Sequence, residues 1–127
     1  MWIASKFGFY SMANKPAEQF PQYESVIHVR GRGRDDMRRL IELIKDLKLK
    51  ITPEISYRKE VDYNYRIFVH PEDLPRVLFR LGKHLDYPSF KGMVAKSDHQ
   101  KHKFEAYCNF WSEMLSAFGI DPMSKYV

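Results

Sequence analysis

Between residues 25 and 37 the chain reads Ser25-Val26-Ile27-His28-Val29-Arg30-Gly31-Arg32-Gly33-Arg34-Asp35-Asp36-Met37, and its physical character changes midway. Val26, Ile27 and Val29 are β-branched, stiff at χ1 and suited to a pleated strand, and Gly31 and Gly33 end that run. From Met37 onward the apolar positions Met37, Leu40, Ile41, Ile44 and Leu47 recur every three or four residues, with Arg38, Arg39, Glu42, Lys45 and Asp46 on the other side. That period belongs to an amphipathic helix. Asp35 or Asp36 can accept hydrogen bonds from the first-turn amides, and Lys45, Lys48 and Lys50 suit the negative end.

Upstream, Trp2 to Met12 is rich in rings and β-formers and predicts one strand, with Gly8 marking a bulge or a close approach of another backbone. A loop with Pro16 and Pro21 follows. Downstream, Ile51 to Tyr57 predicts a short edge strand interrupted by Pro53, and Tyr63 to His70 a strong one. In the latter, Tyr63, Tyr65, Ile67 and Val69 alternate with Asn64, Arg66, Phe68 and His70. Pro71 stops that strand. Leu74, Val77, Leu78, Leu81 and Leu85 then make a second helical stripe, with Pro75 in its first turn.

Asp86 suits the cap of a short helix opened by Pro88, and Ser97 with Gln100 fits a capping box for a last helix. Phe104, Tyr107, Cys108, Trp111, Leu115 and Phe118 would form the core face of that helix, which Gly119 and Pro122 stop. The expected fold is one α+β domain over 1–127. It has a ferredoxin-like antiparallel sheet of about four strands in ββαββα order, with an added C-terminal helical segment. One sheet face would carry the two amphipathic helices, and the other would meet solvent or the C-terminal helix.

The bulk numbers limit the partners. A chain of 127 residues with 44% hydrophobic and 29% charged residues builds one core and is not disordered. Its formal charge of +5 and pI near 9.3 favour anionic partners if the cations cluster. Rings at 15% exceed what a small core uses, so some should serve a surface. The lone Cys108 excludes an internal disulfide framework. No run approaches the roughly 20 apolar residues that span a bilayer, and no leader pattern opens the chain, so a cytoplasmic location is expected and no membrane partner.

Two constellations carry chemistry. Arg30, Arg32 and Arg34 alternate at a strand-to-helix junction, which predicts an anion site on the helix N-terminus or a basic turn paired with Asp35 and Asp36. The set lacks the Lys-Ser/Thr of a P-loop. Tyr57-Arg58 and Asp62-Tyr63-Asn64-Tyr65-Arg66 interleave rings with cations, as a base-stacking platform does, although Tyr63 and Tyr65 share a side with Ile67 and Val69 and fit a core equally. His99 and His102 have a ligand-like spacing but are flanked by lysines, and no metal or cofactor is expected. Nothing places a base beside Ser11 or Cys108, so no catalytic class is indicated.

Met1-Trp2, Phe7-Gly8-Phe9-Tyr10-Ser11, His28-Val29-Arg30-Gly31-Arg32, Asp62-Tyr63-Asn64-Tyr65-Arg66 and Asp86-Tyr87-Pro88-Ser89-Phe90-Lys91 together resemble a family of small bacterial proteins with no established activity. Its members open with a Met-Trp…Gly-Phe-Phe-Ser strand and carry an Asp-Tyr…Asn-Phe-Lys turn. This chain departs at Tyr10 and Ser89 and in a longer C-terminus. The resemblance implies that Ser11, Arg30, Arg32, Asp62, Tyr65, Arg66, Asp86, Tyr87 and Lys91 form a ligand site if they converge. The expected function is therefore a non-enzymatic module for an anionic ligand, nucleic acid or nucleotide. Arg30, Arg32, Arg34, Arg66 and Lys91 would meet phosphate, and Tyr63 or Tyr65 would stack. The alternatives are a protein-interaction domain acting as a homodimer and, below it, a small Asp/Arg/Tyr enzyme.

Overall fold

In the computed structural model, residues Met1–Gly119 are described; Pro122, expected to help stop the last helix, lies outside them. The chain divides into two compact units, Met1–Asp86 and Tyr87–Val127. The first is a five-stranded antiparallel sheet with two helices. Its strands are β1 (Trp2–Ala4), β2 (Phe9–Pro16), β3 (Ser25–Gly31), β4 (Ser56–Tyr57) and β5 (Tyr65–Val69). Helix α1 (Arg34–Ile44) follows β3, and α2 (Leu74–Lys83) follows β5. In space the strands run β1-β2-β3-β5-β4, every neighbouring pair antiparallel.

The fold class is α+β, as expected, but the ferredoxin-like sheet of four strands in ββαββα order is corrected. The N-terminal residues make two strands rather than one, so the unit reads βββαββα. The cause is a turn that the ring-rich composition conceals. The Ser5 hydroxyl accepts from the amides of Phe7 and Gly8 at 3.2 and 3.3 Å and donates to the Gly8 carbonyl at 2.9 Å, folding β1 back onto β2. Gly8 is required there, because a Cβ would lie 2.5 Å from Cγ of Asp36. Asp36 in turn accepts the Phe9 amide at 3.2 Å, and its carbonyl accepts the Tyr10 hydroxyl at 2.7 Å. The acidic residue read as a cap for α1 is thus spent on the hairpin; the N-cap of α1 is Gly33, with no side-chain bond.

Strand alternation sorts the sheet into two faces. Tyr10, Met12, Ile27, Val29, Ile67 and Val69 turn toward the helices and pack with Met37, Leu40, Ile44, Val77 and Leu81 in the main core. Burying each such aliphatic side chain is worth about 1.5–3 kcal/mol, so this face holds the unit together. On the opposite face, cross-strand pairing lines up Trp2, Ser11, Arg30, Arg66 and Ser56, one residue from each strand. The next row is Ala13, His28 and Phe68. A smaller cluster of Ala17, Val26 and Ile51 with Phe20, Tyr23 and Phe68 closes one end of that face.

In the second unit, α3 (Phe90–Lys96) is capped by Ser89, whose hydroxyl accepts from the Gly92 amide at 3.2 Å. Asp86 does not cap it, and instead pairs with Lys6 at 2.8 Å within the first unit. The proposed capping box also fails, since a single 3-10 turn over Lys101–Lys103 separates Gln100 from α4 (Phe104–Phe118). Phe90 meets Tyr107 edge-on at 4.7 Å. No residue of α4 is buried; Cys108, read as core, is only half-buried.

Candidate functional site

The polar row across the sheet begins as a problem of electrostatics. Arg30 and Arg66 are direct cross-strand partners on β3 and β5. Like charges in that position repel. Arg66 is nonetheless 6% exposed, and Arg58, just beyond β4, adds a third guanidinium to the neighbourhood. Burial, then Arg58 and Arg30, push the Arg66 pKa down, and Asp62 acts only weakly against them. Among the described residues none of Lys15, Arg30, Arg58 and Arg66 takes part in an ion pair with a carboxylate.

What holds the arginines is neutral. Arg30 donates through Nη2 to the Ser11 hydroxyl at 2.7 Å. Arg66 donates through Nη1 to Nδ1 of His28 at 3.1 Å and through Nη2 to the Tyr63 carbonyl at 3.4 Å. A guanidinium cannot accept, so Nδ1 of His28 does, and the ring proton sits on Nε2. Burial lowers the His28 pKa to about 4, with Arg66, Lys15, Arg58 and Arg30 reinforcing the effect. The ring is neutral at physiological pH. The Nε atoms of Arg30 and Arg66 are buried and have no hydrogen-bond partner. A buried donor left unmade costs about 1–3 kcal/mol, more when charged.

Beside this row lies an open concavity of about 220 Å³, lined by Lys15, Pro16, Glu18, Gln19, Val26, His28, Arg58 and Arg66. All of its lining comes from the first unit. It presents three cations and a neutral imidazole against the single carboxylate of Glu18.

Of the residues singled out from sequence, the structure brings together Arg30, Arg32, Tyr63 and Arg66. The guanidinium carbons of Arg30 and Arg32 lie 4.8 and 4.3 Å from the centre of the Tyr63 ring. Tyr63 and Tyr65 have different surroundings. Tyr63 precedes β5 and is 6% exposed, whereas Tyr65 packs against the helix-side core, 5.2 Å from Tyr57 and 5.6 Å from the Arg34 guanidinium. Arg34 is thereby separated from Arg30 and Arg32, because it begins α1 rather than continuing the extended chain. Lys91 belongs to the second unit, its ammonium 4.5 Å from the Trp111 ring centre.

Sequence reading missed Lys15 and His28 as parts of the site, and placed Arg58 only in the ring-bearing constellation with Tyr57. His28 stood alone in sequence; only the β3–β5 register sets it beside Arg66. Ser11, which the resemblance places in a ligand site, is 1% exposed and accepts from Arg30. Among the described residues no group of three or more His, Cys, Asp or Glu could hold a metal ion, and no helix is long and apolar enough to cross a membrane. No protein-family model, curated protein or solved structure matches the chain.

Proposed function

We propose that the chain is a binding module for a phosphate-bearing anion, a nucleotide or nucleic acid, taken on the sheet face opposite α1 and α2. The observation that carries this reading is the buried Arg66, faced across the strand pair by Arg30 and approached by Arg58, with no carboxylate partner and an unsatisfied Nε. A structural arginine at this depth is normally paired. An anion in the concavity relieves the repulsion and offers acceptors to the cations that line it. Arg32, exposed at the end of β3, extends the positive surface.

The test is equilibrium binding of a fluorescent mononucleotide and a short labelled RNA at rising salt. Affinity should fall steeply with salt for both and should drop in Lys15→Glu/Arg58→Glu, whose side chains contribute nothing to the main core. Salt-independent binding, or none at low salt, removes the reading.

A further inference from the structure

The ligand class of this site can be narrowed, on the premise that the site binds an anion at all. Three features bear on it. The first is convergence. Lys15, Arg58, Arg66 and His28 come from β2, the segment after β4, β5 and β3, yet they line one concavity rather than a track along the surface. A strand of phosphodiesters is met by cations spaced along its path, one charge at a time. The cations that continue the chain from Arg30 do not line the concavity: Arg32 lies over the Tyr63 ring and Arg34 over Tyr65.

The second feature is the absence of a wall for a base. Among the residues lining the concavity there is no Phe, Tyr or Trp. Of the tyrosines near the site in sequence, Tyr63 is taken by guanidinium groups and Tyr65 by the helix-side core, and the exposed Tyr57 packs on Tyr65 outside the lining. Sequence-tolerant binding of single strands relies on open rings, and the concavity offers none.

The third is the balance of charge and donors. Lys15, Arg58 and Arg66 face one carboxylate, Glu18, and Arg30 stands directly behind Arg66. A singly charged diester with two free oxygens leaves both charge and donors uncompensated. A monoester carries about −1.5 to −2 at pH 7 and three strong acceptor oxygens. Lysine and arginine donors and the Nε2 proton of His28 match that group.

We infer that the concavity formed by Lys15, His28, Arg58 and Arg66 takes a terminal phosphate monoester in preference to the internal diesters of a strand.

The experiment is calorimetric titration of the wild-type chain with four probes: inorganic phosphate, ribose 5-phosphate, and a short oligothymidylate bearing either a 5′-phosphate or a 5′-hydroxyl. The 5′-phosphorylated strand or ribose 5-phosphate should bind about ten-fold or more tightly than the 5′-hydroxyl strand. Inorganic phosphate should compete for the same site. Binding of ribose 5-phosphate without gain from the strand assigns a small ester, and gain from the strand assigns a phosphorylated end; both support a monoester. Equal binding of the two strands, with ribose 5-phosphate no tighter than either, overturns the inference and leaves the anion reading in place. Failure of all four probes overturns both. In Lys15→Glu/Arg58→Glu, with unchanged circular dichroism, the preference for the phosphorylated probes should vanish. Its persistence places the site elsewhere and overturns the assignment.

Discussion

Arg66 and His28 are joined across adjacent strands by a hydrogen bond of 3.1 Å from a guanidinium Nη1 to an imidazole Nδ1. The bond requires an imidazole without a proton on Nδ1, and the cations around it disfavour adding one. The consequence is a pH dependence with a definite sign. The unfolded His28 titrates near 6.5 and the folded one near 4. Between those values the unfolded chain binds more protons, so stability conferred by the neutral ring is full above 6.5 and is lost as pH falls toward 4. After discounting for partial exposure, the loss is on the order of 2 kcal/mol. Thermal melts of wild type and His28→Gln should diverge in slope over this window, the variant being flatter. Parallel curves from pH 7 to pH 4 contradict the assignment.

Arg58 should trade stability for affinity. It repels Arg66 and makes no ion pair, so Arg58→Gln is expected to leave the melting temperature unchanged or raise it by an amount worth a few tenths of a kcal/mol. The same change should weaken phosphate binding several-fold. Chemical denaturation and a phosphate titration on one preparation check both halves. A variant that is clearly less stable gives Arg58 a structural role instead.

Gly8 should resist even the smallest side chain. The Cβ of Gly8→Ala would stand 2.5 Å from Cγ and 2.7 Å from Cβ of Asp36, and that residue is buried and bonded to the Phe9 amide. Neither group can retreat without breaking the β1–β2 hairpin. A destabilisation of about 1–3 kcal/mol is expected by denaturant unfolding. A neutral substitution shows that the contact yields easily.

How much of this was legible follows the range of the forces involved. The period of Met37, Leu40 and Ile44 showed which side of α1 is buried, since a helix stripe is a local pattern read over two turns. Val29, Ile67 and Val69 were equally open to reading, because strand alternation is local too. Gly8 was suspected of a bulge or of a close approach of another backbone, and what approaches it is the Asp36 side chain. The Ser5 turn was invisible because its hydroxyl bonds look no different in sequence from any serine between two β-rich runs. The site itself depends on register. That Arg30 faces Arg66 and that His28 neighbours it are facts of pairing between strands some forty positions apart in sequence. Tyr63 misled for a related reason: alternation put it beside Tyr65, but β5 starts at Tyr65, and the ring before it turns toward Arg30 and Arg32.

Nitrogen-detected NMR of the arginine side chains during addition of inorganic phosphate observes the relevant atom itself. The Nε–H of Arg66 is buried and unpartnered in the free protein. A saturable shift of that resonance, abolished in Lys15→Glu/Arg58→Glu, is the predicted result. An Arg66 signal that stays fixed while phosphate, ribose 5-phosphate and oligonucleotide are each raised to saturating levels contradicts an anion site on this face.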